Sequence, residues 1–324
     1  MGSITTADWS AVRSKLLPVI RQADFSMGTP YEPPPIPFRP FAPCLSEFAV
    51  INLPDRVEYV TLKRLGDWNV GVDDVFDAAH ENLAAHFANL LEKRSTEGPQ
   101  PVALMGVGHT YFGSLPVLDG WLAAWTAGWG GCRPLFAMTA QGDLLIVPEP
   151  DEPDQVPPLL AGLEREWAEA ARPVSPVLYT LDDAGKPVPY DLPHDIPAGH
   201  PARAAIRRSR GLLANTVYDA QTKHLRENAE LGDPFFAALQ RFTRPGTDLS
   251  FTLATWGEGD WVRLPEADWI AFANDDGQFF VRWEDVAREC GFVPEPGYHP
   301  ARYYLEGWPD SDVMTRLRAL ADQP

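Results

Sequence analysis

Proline sets the outline of this chain before any other residue does. Thirty-three of the 324 residues are proline, and each removes a backbone N–H and holds φ near about −65°. They gather in residues 29–43 (TPYEPPPIPFRPFAP), 151–158 (DEPDQVPP) and 191–201 (DLPHDIPAGHP). In the first cluster regular hydrogen-bonded structure is not expected. It reads as an extended arm lying across a domain surface, or as a ligand for a proline-reading module. The second punctuates the chain before a helix. The third is poor in large apolar residues and reads as a linker. It separates an expected first domain, residues 1–195, from a second, residues 200–324, on a chain long enough for both.

Composition limits the partners. Apolar residues make up 45% and charged residues 22%, an ordinary globular balance. Lys plus Arg is 27 against 45 Asp plus Glu, a net charge of −18. So negative a surface repels phosphate backbones and anionic membranes, and neither is expected as a partner. The one basic stretch, Arg203, Arg207, Arg208 and Arg210, reads as a solvated helix face. Cys44, Cys132 and Cys290 are odd in number and widely spaced, which fits a reducing compartment rather than a disulfide framework. The start carries no secretory pattern, and no stretch approaches the roughly 18 apolar residues of a membrane span. A cytoplasmic protein is expected.

Periodicity supplies the elements. A helix is expected over residues 8–21, with Trp9, Val12, Leu16 and Ile20 on one stripe. Strands follow at 48–53 and 57–62. A helix at 73–92, capped by Asp73 or Asp74, carries Val75, Phe76, Ala79, Leu83, Phe87 and Leu90 at helical spacing. Leu118, Trp121, Leu122 and Trp125 form a further helical stripe. PLFAM with DLLIV, and SPVLYTL with KPVPY, read as hairpins around a helix at 159–171. Beyond the linker, helices are expected at 202–231 and 233–242, the latter with Asp233 as cap and Pro234 in its first turn. LSFTLATW, WVRLP, WIAFA and QFFV read as a four-stranded antiparallel meander. WEDVARECG and residues 310–320 close the chain as helices. The expected class is α+β, two adjacent units, each an antiparallel sheet packed with helices.

Within residues 40–190 the order of segments resembles the YtpQ-like family of uncharacterised bacterial proteins. The likeness rests on the A-x-x-N-L element Ala79-His80-Glu81-Asn82-Leu83, an apolar helix from Ser114, a hairpin in PLFAMTAQGDLLIVPEP and the closing PVSPVLY strand. The family has no established activity. The resemblance therefore implies a fold and no chemistry, and it leaves the second half unassigned.

Motifs that would announce chemistry fall short. His80 and His86 lie six residues apart, roughly 240° around a helix, so they cannot share a zinc as histidines four apart can. No metal or other cofactor is expected. Gly106-x-Gly108 follows a strand, but Tyr111 occupies the third glycine position of a dinucleotide turn; the plain reading is a tight turn with Ser114 as a helix cap. Cys132 beside Arg133 could be activated, although a small inert thiol is the ordinary case. The tryptophans read as core.

Two polar clusters remain as candidate ligand sites. One joins His80 and Asn82 to His109 and Tyr111, with Asn82 expected to meet the loop GVGHTYFGS. The other holds Tyr298, His299 and Arg302. The reading is a non-catalytic binding or regulatory protein that recognises a protein partner or a small ligand. The alternative is a metal-independent tailoring or transferase enzyme of actinobacterial metabolism with His109 or His299 as general base.

Overall fold

The computed structural model describes residues 8–28, 32–92, 96–105, 111–197, 199–244, 246–247, 249–259 and 261–324. They fall into two compact units, 8–28 with 32–202, and 203–324. The class is α+β.

The first unit opens with the single turn α1 (Trp9–Val12), whose Ser10 N–H is capped by Asp8. A 3-10 turn follows, and then strand β1 (Leu16–Gln22). The helix expected over 8–21 is therefore cut short. Pro18 decides this: inside a helix its ring would collide with the preceding turn. On an edge strand it is tolerated, and Val19 and Ile20 favour the extended state. Strands β2 (Phe38–Ala42), β3 (Leu45–Asn52) and β4 (Val57–Tyr59) complete an antiparallel sheet. β3 is its centre. β1 runs along one edge of it, while β2 takes the first half and β4 the second half of the other. Part of the proline arm is thus sheet, with Pro40 on an outer strand beside a register shift, a position where a missing N–H is accommodated.

Helices α2 (Leu62–Trp68) and α3 (Val72–His86) cover this sheet. Val75, Phe76 and Ala79 of α3 share a core with Leu16, Ala49 and Ile51. The α3 cap is Gly71, whose N–H donates to Asp74 Oδ2 at 2.8 Å; Asp74 caps from inside the helix. The helix stops at Phe87, and α4 (Ala88–Glu92) follows as a separate turn. A second antiparallel sheet contains β5 (Val102–Leu104), β6 (Pro134–Ala137), β7 (Leu144–Pro148), β8 (Tyr179–Leu181) and β9 (Pro187–Pro189), in the order β5-β7-β6-β8-β9. Both expected hairpins are present in it. Its helices are α5 (Ala123–Thr126) and α6 (Val156–Glu169). Ser114 is buried inside a 3-10 helix, Phe112–Val117, rather than capping one.

Helix α7 (Pro201–Glu227) begins at the boundary between the units. The helix expected at 233–242 is replaced by β10 (Phe235–Phe236) and β11 (Gln240–Thr243), because strand pairing in the folded unit overrides a good local cap. β12 (Ser250–Gly257), β13 (Trp261–Pro265), β14 (Trp269–Asn274) and β15 (Gly277–Arg282) form where expected, but not as a meander. β13 leaves its neighbours, and β12 pairs with β14 in parallel. Val262 through Pro265 are all buried, so β13 takes a partner on each edge: β10 in parallel and β16 (Arg302–Glu306) antiparallel. Helices α8 (Trp283–Cys290) and α9 (Ser311–Ala319) finish the unit. Among the described residues no helix is long and apolar enough to cross a membrane.

Candidate functional site

A cleft of about 880 Å³ opens in the first unit, and five separate segments wall it. Arg21 and Gln22 end β1. Arg21 Nε donates to Tyr59 Oη on β4 at 3.0 Å, and its Nη1 donates to the Ile20 carbonyl at 2.7 Å. Gln22 Nε2 reaches the Val174 carbonyl at 3.2 Å, fastening β1 to the chain beyond α6. One 3-10 turn later stand Asp24 and Phe25. The Phe25 ring is 44% exposed, although it packs 4.5 Å from Tyr59 and 5.2 Å from Phe48. The β3–β4 turn adds Arg56, and the β6–β7 turn adds Gln141. Arg172 faces Gln141 in a two-way clasp: Gln141 N–H donates to the Arg172 carbonyl, and Arg172 Nη1 to Gln141 Oε1, both at 3.0 Å. Tyr111 donates from Oη to Asn52 Oδ1 at 2.9 Å.

The charges are unevenly matched. Arg56 is neutralised by Asp55 and Glu58. Arg21 and Arg172 have no carboxylate within ion-pair distance among the described residues. Several arginines elsewhere do pair with acids: Arg13 with Glu81, Arg39 with Asp73, Arg263 with Glu295 and Arg316 with Glu289. Burial lowers the pKa of Arg21; the charge of Arg172 acts in the same sense and Tyr59 against it. Burial raises the Asp24 carboxyl above its ordinary value. It also pushes the Tyr111 phenol up to about 12, so that group stays a donor. The result is a cationic wall, half-buried at Arg21 and exposed at Arg172, beside an aromatic one, suited to holding an anion.

The residues singled out by sequence are distributed differently. Tyr111 lines this cleft. His80 does its work elsewhere on α3, with Nε2 2.5 Å from Oε1 of the buried Glu47 on β3. Asn82 gives both amide hydrogens to main-chain carbonyls, of Arg13 at 2.7 Å and Leu16 at 3.0 Å. It ties α3 to the start of β1, while Tyr111 bonds to Asn52. His109, with residues 106–110, lies outside the described residues.

In the second unit Arg302 has no exposed surface. Its guanidinium donates to Gln221 Oε1, the Ala237 and Arg263 carbonyls and Thr222 Oγ1, at 2.8, 2.8, 3.1 and 2.6 Å. All four acceptors are neutral, and burial brings the Arg302 pKa down to about 10. Tyr298 is half-buried, its ring 5.9 Å from the Arg263 guanidinium, and burial pushes its phenol up to about 12. His299 is half-buried beside it.

Other features find quieter places. Arg203, Arg207, Arg208 and Arg210 are half-buried along α7, not a solvated face, with Arg207 4.0 Å from Asp268; long stems lying on apolar surface explain this. Arg133 serves Thr180 and Glu149. Trp121, Trp125, Trp129, Trp256 and Trp269 are buried, while Trp261 is exposed. Among the described residues no three metal-ligating side chains converge. Sequence reasoning passed over Arg21, Phe25, Tyr59 and Arg172, which no local motif connects. Compared with family models, curated proteins and solved structures, the chain finds no match in any of the three.

Proposed function

We propose that this is a non-catalytic binding protein whose first unit recognises a small anionic ligand in the cleft. The observation that carries the reading is the pair Arg21 and Arg172. In a chain of net charge −18, two guanidiniums face one cavity without a carboxylate partner among the described residues. Uncompensated like charges are costly to hold together, and an arriving anion relieves that cost. A cavity of this size suits a small molecule better than a protein segment, because its polar donors lie on the walls rather than on a flat face. The same charge balance keeps nucleic acid and anionic membranes off the list of ligands.

The test is thermal unfolding of the full chain with inorganic phosphate, pyrophosphate, citrate and benzoate at matched ionic strength. At least one anion should raise Tm, with no rise in Arg21→Ala/Arg172→Ala. A charge-assisted hydrogen bond contributes roughly 1.5–3 kcal/mol, so either single variant should weaken binding about 10- to 150-fold. A flat response across the panel, or equal stabilisation of the double variant, overturns the reading.

A further inference from the structure

We propose that the ligand of this cleft is a dianion carried on an aromatic ring, with the charge held between Arg21 and Arg172 and the ring lying on Phe25. This rests on the anion-binding reading above and goes further, to the chemical class.

Three observations converge. The first is the supply of idle donors. Among the described residues Arg21 spends Nε and one Nη1 hydrogen, which leaves Nη2, and Arg172 spends Nη1, which leaves Nε and Nη2. Tyr59 accepts from Arg21, and no partner accepts its own O–H among the described residues. Two partly unspent guanidinium forks and a hydroxyl are more than a monoanion needs, and they suit a phosphate or a pair of carboxylates. Asp24 stands in the same wall but makes no ion pair with either arginine among the described residues.

The second is size. A cleft of about 880 Å³ lies in the range that encloses drug-sized molecules, about 300–1,000 Å³. A bare inorganic anion would leave most of it to water.

The third is the aromatic wall. Phe25 is a large apolar side chain exposed in the cleft, with Tyr59 and Phe48 packed against its ring. Such a platform contributes to affinity through offset or edge-on contact with a second ring.

A phosphate monoester and an aromatic dicarboxylate share this chemistry, so the experiment separates them. Titration calorimetry compares phenyl phosphate, phthalate, cyclohexyl phosphate, benzoate and inorganic phosphate on the full chain. Phenyl phosphate or phthalate should bind at least 10-fold more tightly than benzoate and than inorganic phosphate, and whichever wins identifies the source of charge. Phe25→Leu keeps the apolar bulk and should erase the advantage of phenyl over cyclohexyl phosphate, with Tm within 2 °C of the parent as the check on folding. If phenyl phosphate, cyclohexyl phosphate and inorganic phosphate bind alike, the ring assignment falls and anion binding survives. Benzoate binding as tightly as either dianion removes the dianion. No binding by any of the five overturns this inference together with the reading beneath it.

Discussion

The two units put arginine to opposite uses. In the second, Arg302 is sealed inside and donates to four neutral acceptors contributed by α7, β13 and the residue after β10. It has become part of the scaffold. In the first, Arg21 and Arg172 line a cavity and are anchored by one or two side-chain bonds each among the described residues. The difference lies in how the donors are spent. A buried guanidinium that gives four of its five hydrogens to the fold braces it, and an accessible one with donors to spare is poised for something outside the fold.

The sharpest way to break the contrast is Arg302→Ala. It removes four hydrogen bonds and takes a buried donor from Gln221 Oε1 and the Ala237 carbonyl, and an unsatisfied buried group costs roughly 1–3 kcal/mol. The second unit should lose about 3–5 kcal/mol, measured by urea unfolding followed through tryptophan fluorescence, while anion binding in the first unit stays intact. A loss below about 1 kcal/mol would remove Arg302 from the scaffold. Asn82→Ala comes next. It releases the Arg13 and Leu16 carbonyls from α3 and should cost about 1–2 kcal/mol in the unfolding of the first unit; an unchanged midpoint would mean solvent replaces both bonds.

Arg172→Ala tests the other side of the comparison. Arg172 is exposed and its charge works against that of Arg21. Stability should stay within about 0.5 kcal/mol of the parent or rise slightly, although anion binding weakens about 10- to 150-fold. A large drop in Tm would make Arg172 a brace like Arg302. The smallest effect is expected from Asp24→Asn. Burial raises the Asp24 carboxyl, so the folded protein keeps this proton to higher pH than the unfolded chain does. Its contribution is full below the ordinary carboxylate value and is lost as pH rises through the raised one. The variant should match the parent below about pH 4 and be slightly more stable at pH 7. A parent that is the more stable at pH 7 would reverse the sign.

Much of the fold was legible where one face of an element alone had to be buried. The stripe of Val75, Phe76, Ala79 and Leu83 gave α3, and short apolar runs around turn residues gave the β6–β7 and β8–β9 hairpins. Legibility failed where pairing across the chain decides. Leu16 to Gln22 has helical spacing at its apolar positions but sits opposite β3. Phe235 and Phe236 become strand because β13 lies alongside them. The parallel match of β12 with β14 cannot be read from spacing, since the strand between them simply departs. The cleft was hidden for the same reason. Arg21 and Arg172 are more than a hundred positions apart, and neither is unusual among its sequence neighbours. Among the described residues, only Tyr111 belonged both to the polar clusters and to the wall.

One detail of the first sheet bears on how a ligand gets in. Because β2 and β4 divide one edge of β3 between them, the wall that carries Tyr59 is joined to the sheet over three residue pairs, Val50 with Tyr59, Ile51 with Glu58 and Asn52 with Val57. β1 is zipped to β3 over seven. The short ladder can fray and reclose while the long one holds, at a small fraction of the cost of global unfolding. The two walls of the cleft that rest on β3 are thus held unequally, the β4 side by the shorter ladder.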